Sequence, residues 1–237
     1  MEWFISFVGV LIIVGPLVVV IQLYIQFKRS CYAKKSGHSF IQTLFDKGSY
    51  GEYKVVSALE KVIDPRYIFC NVYLGKGGNT TEIDVLFIDT TGLYVIESKN
   101  YSGWIFGGPR QKEWTQSLFR HRYHFLNPIL QNKRHIAFLE KELGMKGDIF
   151  KSYIVFSDHC HLKKVPYDDR FPIMHVEAIE AQIEMKTKMS PVCLEKEELE
   201  NIIQFLEKHT RVSKALKKKH VENVKRKMYY QRKEVRK

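Results

Sequence analysis

Thr81-Glu82-Ile83-Asp84-Val85-Leu86-Phe87-Ile88, Asp89-Thr90-Thr91-Gly92 and Leu93-Tyr94-Val95-Ile96-Glu97-Ser98-Lys99 read as strand, turn and strand. The two apolar runs are rich in β-branched and aromatic residues and are separated by a cluster of turn formers. Side chains of a strand alternate faces, so Glu97 and Lys99 leave the same side, about 6–7 Å apart along the chain. If the runs pair as a hairpin, Asp84 comes close to them, and two carboxylates and an ammonium converge at the end of a sheet. That grouping suits a hard divalent cation such as Mg2+, which takes one or two carboxylates and keeps waters and phosphate oxygens for its other positions. The chemistry it points to is phosphodiester cleavage.

The surrounding pattern alternates between helix and strand. Val55, Val56, Leu59, Val62 and Ile63 follow the three-to-four spacing of a helix that starts near Ser49 and is stopped by Asp64-Pro65. Glu52 falls on the apolar stripe of that helix, where acidic residues are seldom placed without a partner. It is either a first-turn acid favoured by the helix dipole or a third carboxylate aimed at the same metal. Tyr67–Leu74 reads as a strand, and Gly103–Phe106 with Glu113–Gln116 as a hairpin around Gly107-Gly108-Pro109. Asn127-Pro128 opens a helix, as an N-cap followed by proline, that ends at Gly144. Tyr153–Phe156 and Ile173–Val176 are further strands, and Leu194–His209 is an amphipathic helix. Residues 47–185 therefore form one mixed α/β domain, and about 140 residues bury an adequate core without disulfides or a structural metal.

Both ends differ from that domain. Trp3–Phe27 is 25 residues without a charge, long enough to cross a bilayer, and Lys28, Arg29, Lys34 and Lys35 follow it. Residues 1–27 are accordingly expected to be a single transmembrane anchor with the remainder cytoplasmic, and residues 28–46 a basic linker. A signal peptide fits poorly, because Glu2 precedes the run and no small-x-small cleavage site follows it. At the other end, residues 186–237 hold the last helix and a basic tail, with a net +10 over Arg211–Lys237 out of +12 for the whole chain. The tail can meet nucleic acid or anionic lipid, or remain a solvated extension.

Several classes are excluded. Cys31, Cys70, Cys160 and Cys193 show no CxxC spacing and no disulfide-dense pattern, which fits a reducing compartment. Cys31 is either an acylation site or an ordinary thiol. The glycine-rich loop Gly75–Asn79 lacks the GxxxxGK[ST] spacing of a P-loop. His159-Cys160-His161 is no metal cluster, since adjacent residues point apart.

The ordered set Gly51-Glu52-x-x-Val55, Glu82-Ile83-Asp84, Glu97-Ser98-Lys99-Asn100, Trp114-x-Gln116 and Asn127-Pro128-x-x-Gln131 resembles the nuclease-related domain, NERD. That family is usually placed in the PD-(D/E)xK nuclease superfamily, and the likeness covers about residues 46–160. It implies a restriction-endonuclease-like core: a mixed sheet flanked by helices. It also implies Asp84 and Glu97 as ligands of Mg2+ or Mn2+, Lys99 as the residue that positions the attacking water, and Glu52 as the carboxylate that completes the cluster. Gln116 matches a polar position that holds substrate or water, or serves as a structural hydrogen bond. Ile83 stands where the superfamily name has proline, a change that leaves the aspartate ligand intact. The implied activity is metal-dependent hydrolysis of nucleic acid, DNA in the first place. The alternative is an inactive nuclease fold that binds nucleic acid or signals.

Overall fold

Gly92, with φ 136, turns the chain between the two strands of the central hairpin, and the carbonyl of Ile149 comes so close that a Cβ there would lie 2.4 Å from it. The computed structural model describes residues 2–76, 79–166, 168–210 and 222, with side chains from residue 14 onward. In chain order the first elements are α1 (Glu2–Arg29), α2 (Cys31–Lys35), α3 (Phe40–Phe45) and α4 (Lys47–Leu59). Then come β1 (Ile68–Lys76), β2 (Asn79–Asp89), β3 (Gly92–Lys99), β4 (Gly103–Phe106), β5 (Glu113–Leu118) and β6 (His121–Leu126). The chain continues through α5 (Pro128–Leu143), β7 (Phe150–Phe156), β8 (Cys160–Lys164), β9 (Ile173–His175), α6 (Ile179–Met189) and α7 (Lys196–Thr210).

Two mixed sheets flanked by helices result. The larger has the order β1-β2-β3-β7-β9, with β1, β2 and β3 antiparallel and β7 and β9 added in parallel. The smaller has the order β6-β5-β4-β8. One face of the larger sheet packs Ile68, Val85, Phe87, Tyr94, Ile96 and Val155 against Val55, Val56 and Leu59 of α4 and Ile179 and Ile183 of α6. The other packs Phe69, Leu86, Ile88, Leu93 and Val95 against Leu139 of α5 and Leu199, Ile202 and Leu206 of α7. With both faces covered, these strands read as continuous apolar runs rather than alternating ones.

In the larger sheet the regular alternation breaks at Asn71. Asn71 has φ 53 and drops out of the ladder between the Cys70–Val85 and Val72–Ile83 pairs, so the residue across from it is Asp84. Phe69 and Val72 then share one face, as do Ile83 and Leu86, which alternation alone forbids. A bulge-like irregularity of this kind re-aims side chains, and here it lies beside the acidic cluster.

The smaller sheet closes over its own core. Trp114 is fully buried and stacks on Phe156 at 6.2 Å with the rings 1° from parallel. Only a glycine fits at 107, where a Cβ would lie 2.2 Å from that indole.

Two expectations change. Residues 31–45, read as linker, form α2 and α3, and Cys31 and Tyr32 are buried against the domain. The single-pass membrane anchor, with the remainder cytoplasmic, is corrected: among the described residues no helix is long and apolar enough to cross a membrane. The helix α1 runs from Glu2 to Arg29. Its final turns also serve the domain, because Phe27 is buried and meets Phe40 and Tyr53 ring to ring at 5.7 and 5.8 Å. The basic tail at 211–237, residue 222 apart, lies outside the described residues.

Candidate active site

β3 ends in the residues that matter. Its last turn of alternation puts Val95, Glu97 and Lys99 on the face covered by α5. Glu97 is fully buried, and both its oxygens are engaged. Lys99 Nζ donates to Oε1 at 2.5 Å, and His135 Nε2 lies 3.0 Å from Oε2. Lys99 Nζ also donates to Gln131 Oε1 at 3.2 Å, and His135 Nδ1 sits 2.7 Å from the Thr81 hydroxyl. Gln131 and His135 are four residues apart on α5, hence on one helical face above Lys99 and Glu97.

Asp84 reaches the same place from β2. The register pairs Val85 with Ile96, so one further step sets Asp84 opposite Glu97. Its Oδ2 accepts from the backbone N–H of Ser98 at 3.0 Å. The hairpin thus brings Asp84, Glu97 and Lys99 together.

Glu52 arrives from α4, and local contacts fix how. Asp46 caps the helix, accepting from the Ser49 N–H at 2.8 Å and from its hydroxyl at 2.7 Å. Asn100 Nδ2 donates to the Lys47 carbonyl at 2.8 Å and ties the first turn of α4 to the end of β3. Gly51 permits the approach: a Cβ there would stand 2.8 Å from Asn100 Cβ and 3.1 Å from Ser98 Oγ. The next residue is Glu52, whose Oε2 accepts from the Tyr32 hydroxyl at 2.8 Å. The pairing of Gly51 with Glu52, and of Lys99 with Asn100, therefore has a mechanical basis.

The charges are unevenly compensated. Burial pushes the Glu97 carboxyl up, but Lys99 and the His135 hydrogen bond outweigh it and hold it below the ordinary glutamate value. Burial lowers the Lys99 ammonium, yet Glu97 and Asp84 raise it above the ordinary lysine value, so it stays charged. Asp84 is pushed well above the usual carboxylate range, first by burial and then by the negative charges of Glu97 and Glu52. Glu52 rises to about 7, burial again leading and the Tyr32 hydrogen bond opposing it. Two carboxylates thus resist ionisation because burial and neighbouring carboxylates outweigh Lys99 at Asp84 and the Tyr32 hydrogen bond at Glu52. Perturbed acids of this kind, grouped at the end of a sheet, mark a candidate functional site.

Gln116 is placed differently. Its Nε2 donates to the Ser102 carbonyl at 2.7 Å, so it fastens β5 to the loop that follows Lys99. Asn127 is a clamp as well as a cap: Oδ1 accepts from the Ile129 N–H at 2.9 Å while Nδ2 donates to the carbonyls of Gly108, Pro109 and Gln111. His135 and Tyr32 were not anticipated from sequence. For His135 a signal existed, since it lies one helical turn beyond Gln131; Tyr32 lies in a segment read as linker. Among the described residues no three His, Cys, Asp or Glu converge tightly enough to hold a metal ion by themselves. The oxygen donors of Asp84 and Glu97 fit a cation that needs only one or two carboxylates and retains its waters.

The family profile of the nuclease-related domain, NERD, matches residues 47–157. An uncharacterized protein of Bacillus anthracis is 32% identical over 179 residues, which cover 74% of this chain and 82% of that protein. No solved structure matches the chain.

Proposed function

Because this chain belongs to the nuclease-related domain (NERD) family, we propose that it is a metal-dependent nuclease of the PD-(D/E)xK type, with a restriction-endonuclease-like core. It hydrolyses phosphodiester bonds in nucleic acid, DNA in the first place. The observation that carries this reading is the meeting of Asp84, Glu97 and Lys99 at one spot, where burial and neighbouring carboxylates push the Asp84 and Glu52 carboxyls up. Asp84 and Glu97 would hold Mg2+ or Mn2+. Bound there, the cation supplies Lewis-acid polarisation of the phosphate and a lowered pKa for a coordinated water.

The chain's own residues do the remainder. Lys99, charged and half-buried among its neighbours, presents a fixed ammonium to the charge that develops on phosphate oxygens in the transition state. Gln131 and Glu97 hold that ammonium in place, so little reorganisation accompanies reaction. His135 orients Glu97 from the opposite side. Glu52, with a pKa of about 7, can hold or release a proton near neutrality.

One observation favours a second reading, an inactive nuclease fold that binds nucleic acid. Both oxygens of Glu97 are already occupied by Lys99 and His135. Cleavage of linear, circular and single-stranded DNA by the full chain, with Mg2+, Mn2+ or EDTA, separates the two. Metal-dependent cleavage that disappears in Lys99→Ala, with DNA binding retained, supports the nuclease. Binding without cleavage under every metal condition supports the inactive module.

A further inference from the structure

The smaller sheet has one face in the core and one outside. Ile105, Trp114, Phe125 and Leu162 turn inward. The register aligns the outward rows: His161, Trp104, Ser117 and Arg122 lie side by side, and next to them Lys164, Phe106, Thr115 and His124. Trp104 keeps 51% of its surface exposed, although a tryptophan on a strand is ordinarily covered. Lys163 Nζ stands 5.1 Å from its ring centroid, and Phe106 meets it edge-on at 6.5 Å.

The charge on this face is one-sided. Arg122, Lys163 and Lys164 on its strands, and Arg110, Lys112 and Arg120 in its turns, stand against the acid Glu113. None of these six cations forms an ion pair among the described residues. An exposed indole, with the half-buried Phe106 beside it, set among unpaired cations complements a chain of flat bases and phosphates. The groups between them, Ser117, Thr115, His124 and His161, are hydrogen-bonding rather than aliphatic, which suits a polar polymer and not the interior of a lipid layer. Rings on a sheet can stack only on bases that are already unpaired, so a duplex does not satisfy them.

We propose that the outer face of β4, β5, β6 and β8 is a binding platform for single-stranded nucleic acid, with Trp104 as its principal stacking residue and Arg122, Lys163 and Lys164 as its phosphate contacts. The proposal deepens the nuclease reading and rests on it for the identity of the substrate. Lys99 and Trp104 are five residues apart, at most about 17 Å of extended chain. A strand held on the platform therefore passes within a few nucleotides of the acidic cluster.

Binding of a fluorescein-labelled dT15 to the full chain in EDTA, followed by anisotropy against salt, tests this. Trp104→Ala weakens binding about tenfold, roughly 1.4 kcal/mol, whereas Trp104→Phe retains most of it. Replacing Arg122 and Lys163 together by Gln lowers the slope of log affinity against log salt by about 1.4, near 0.7 for each lost phosphate contact. Tryptophan quenching on binding disappears in Trp104→Phe, a readout independent of any loss of fold in the alanine variant. Unchanged affinity in Trp104→Ala together with unchanged quenching in Trp104→Phe overturns the platform, as does binding to anionic vesicles but not to dT15. If wild-type cleavage of DNA persists in either of those cases, only the platform falls. If wild type neither binds nor cleaves any nucleic acid, the nuclease reading falls with it.

Discussion

Removing the imidazole of His135 leaves two buried groups without their partner, and the cost can be worked from the geometry. Glu97 is fully buried and His135 is 4% exposed. Glu97, ionised, only accepts, so His135 Nε2 donates to it at 3.0 Å, and Nδ1 meets the Thr81 hydroxyl at 2.7 Å. In His135→Ala the carboxylate loses a charge-assisted bond, about 1.5–3 kcal/mol, and the threonine hydroxyl about 1 more. The emptied ring volume adds to this, for a total of about 3–5 kcal/mol, while Lys99 still neutralises the carboxylate. With a urea m-value of about 2 kcal/mol/M, the midpoint should fall by roughly 2 M. The assay is urea unfolding of the full chain, followed by fluorescence, for wild type, His135→Ala, Glu97→Gln and the double variant. The cycle should give a coupling of about 1.5 kcal/mol or more, because the loss from His135→Ala shrinks once the buried charge is gone. A loss below about 1 kcal/mol, or additive effects, would refute the claim that His135 supports the buried carboxylate.

Asn127→Ala should cost about 2–3 kcal/mol in the same unfolding assay, since a buried N-cap and three carbonyl partners disappear at once. Gly51→Ala should lower Tm although alanine is the better helix former, because its Cβ must displace Asn100 Cβ from 2.8 Å; a raised Tm would show that α4 does not press on the end of β3. Glu52→Gln should change how stability depends on pH. The raised Glu52 keeps its proton in the folded chain while the unfolded chain gives it up, so its ionisation removes stability as pH rises from about 4.3 to about 7 and no further above that. The advantage of Glu52→Gln over wild type should therefore grow across that window; a constant difference contradicts the assignment. Deleting residues 211–237 removes a net +10 and should flatten the salt dependence of DNA binding without altering the metal requirement for cleavage.

The sequence by itself determined the central hairpin and the grouping of Asp84, Glu97 and Lys99 at its end. Strand alternation fixes Glu97 and Lys99 on one face whatever surrounds them, and the Asp89–Gly92 turn fixes the register that brings Asp84 alongside. The cap at Asn127 and the amphipathic helices were legible for the same reason: their signals lie within a few residues of one another. Strands β6 and β8 and helix α6 were not, because their side chains are mostly exposed or mixed and owe their form to neighbours distant in sequence. Only the tertiary structure decided what becomes of the uncharged N-terminal run at its C-terminal end. Hydropathy measures how apolar a segment is and not what covers it, and here Phe27 and Tyr32 are covered by the domain. The partners of Glu52 and Glu97 were decided the same way. Tyr32 reaches Glu52 across 20 positions and His135 reaches Glu97 across 38, distances over which no local periodicity operates and only the packing of helices onto the sheet brings donor to carboxylate.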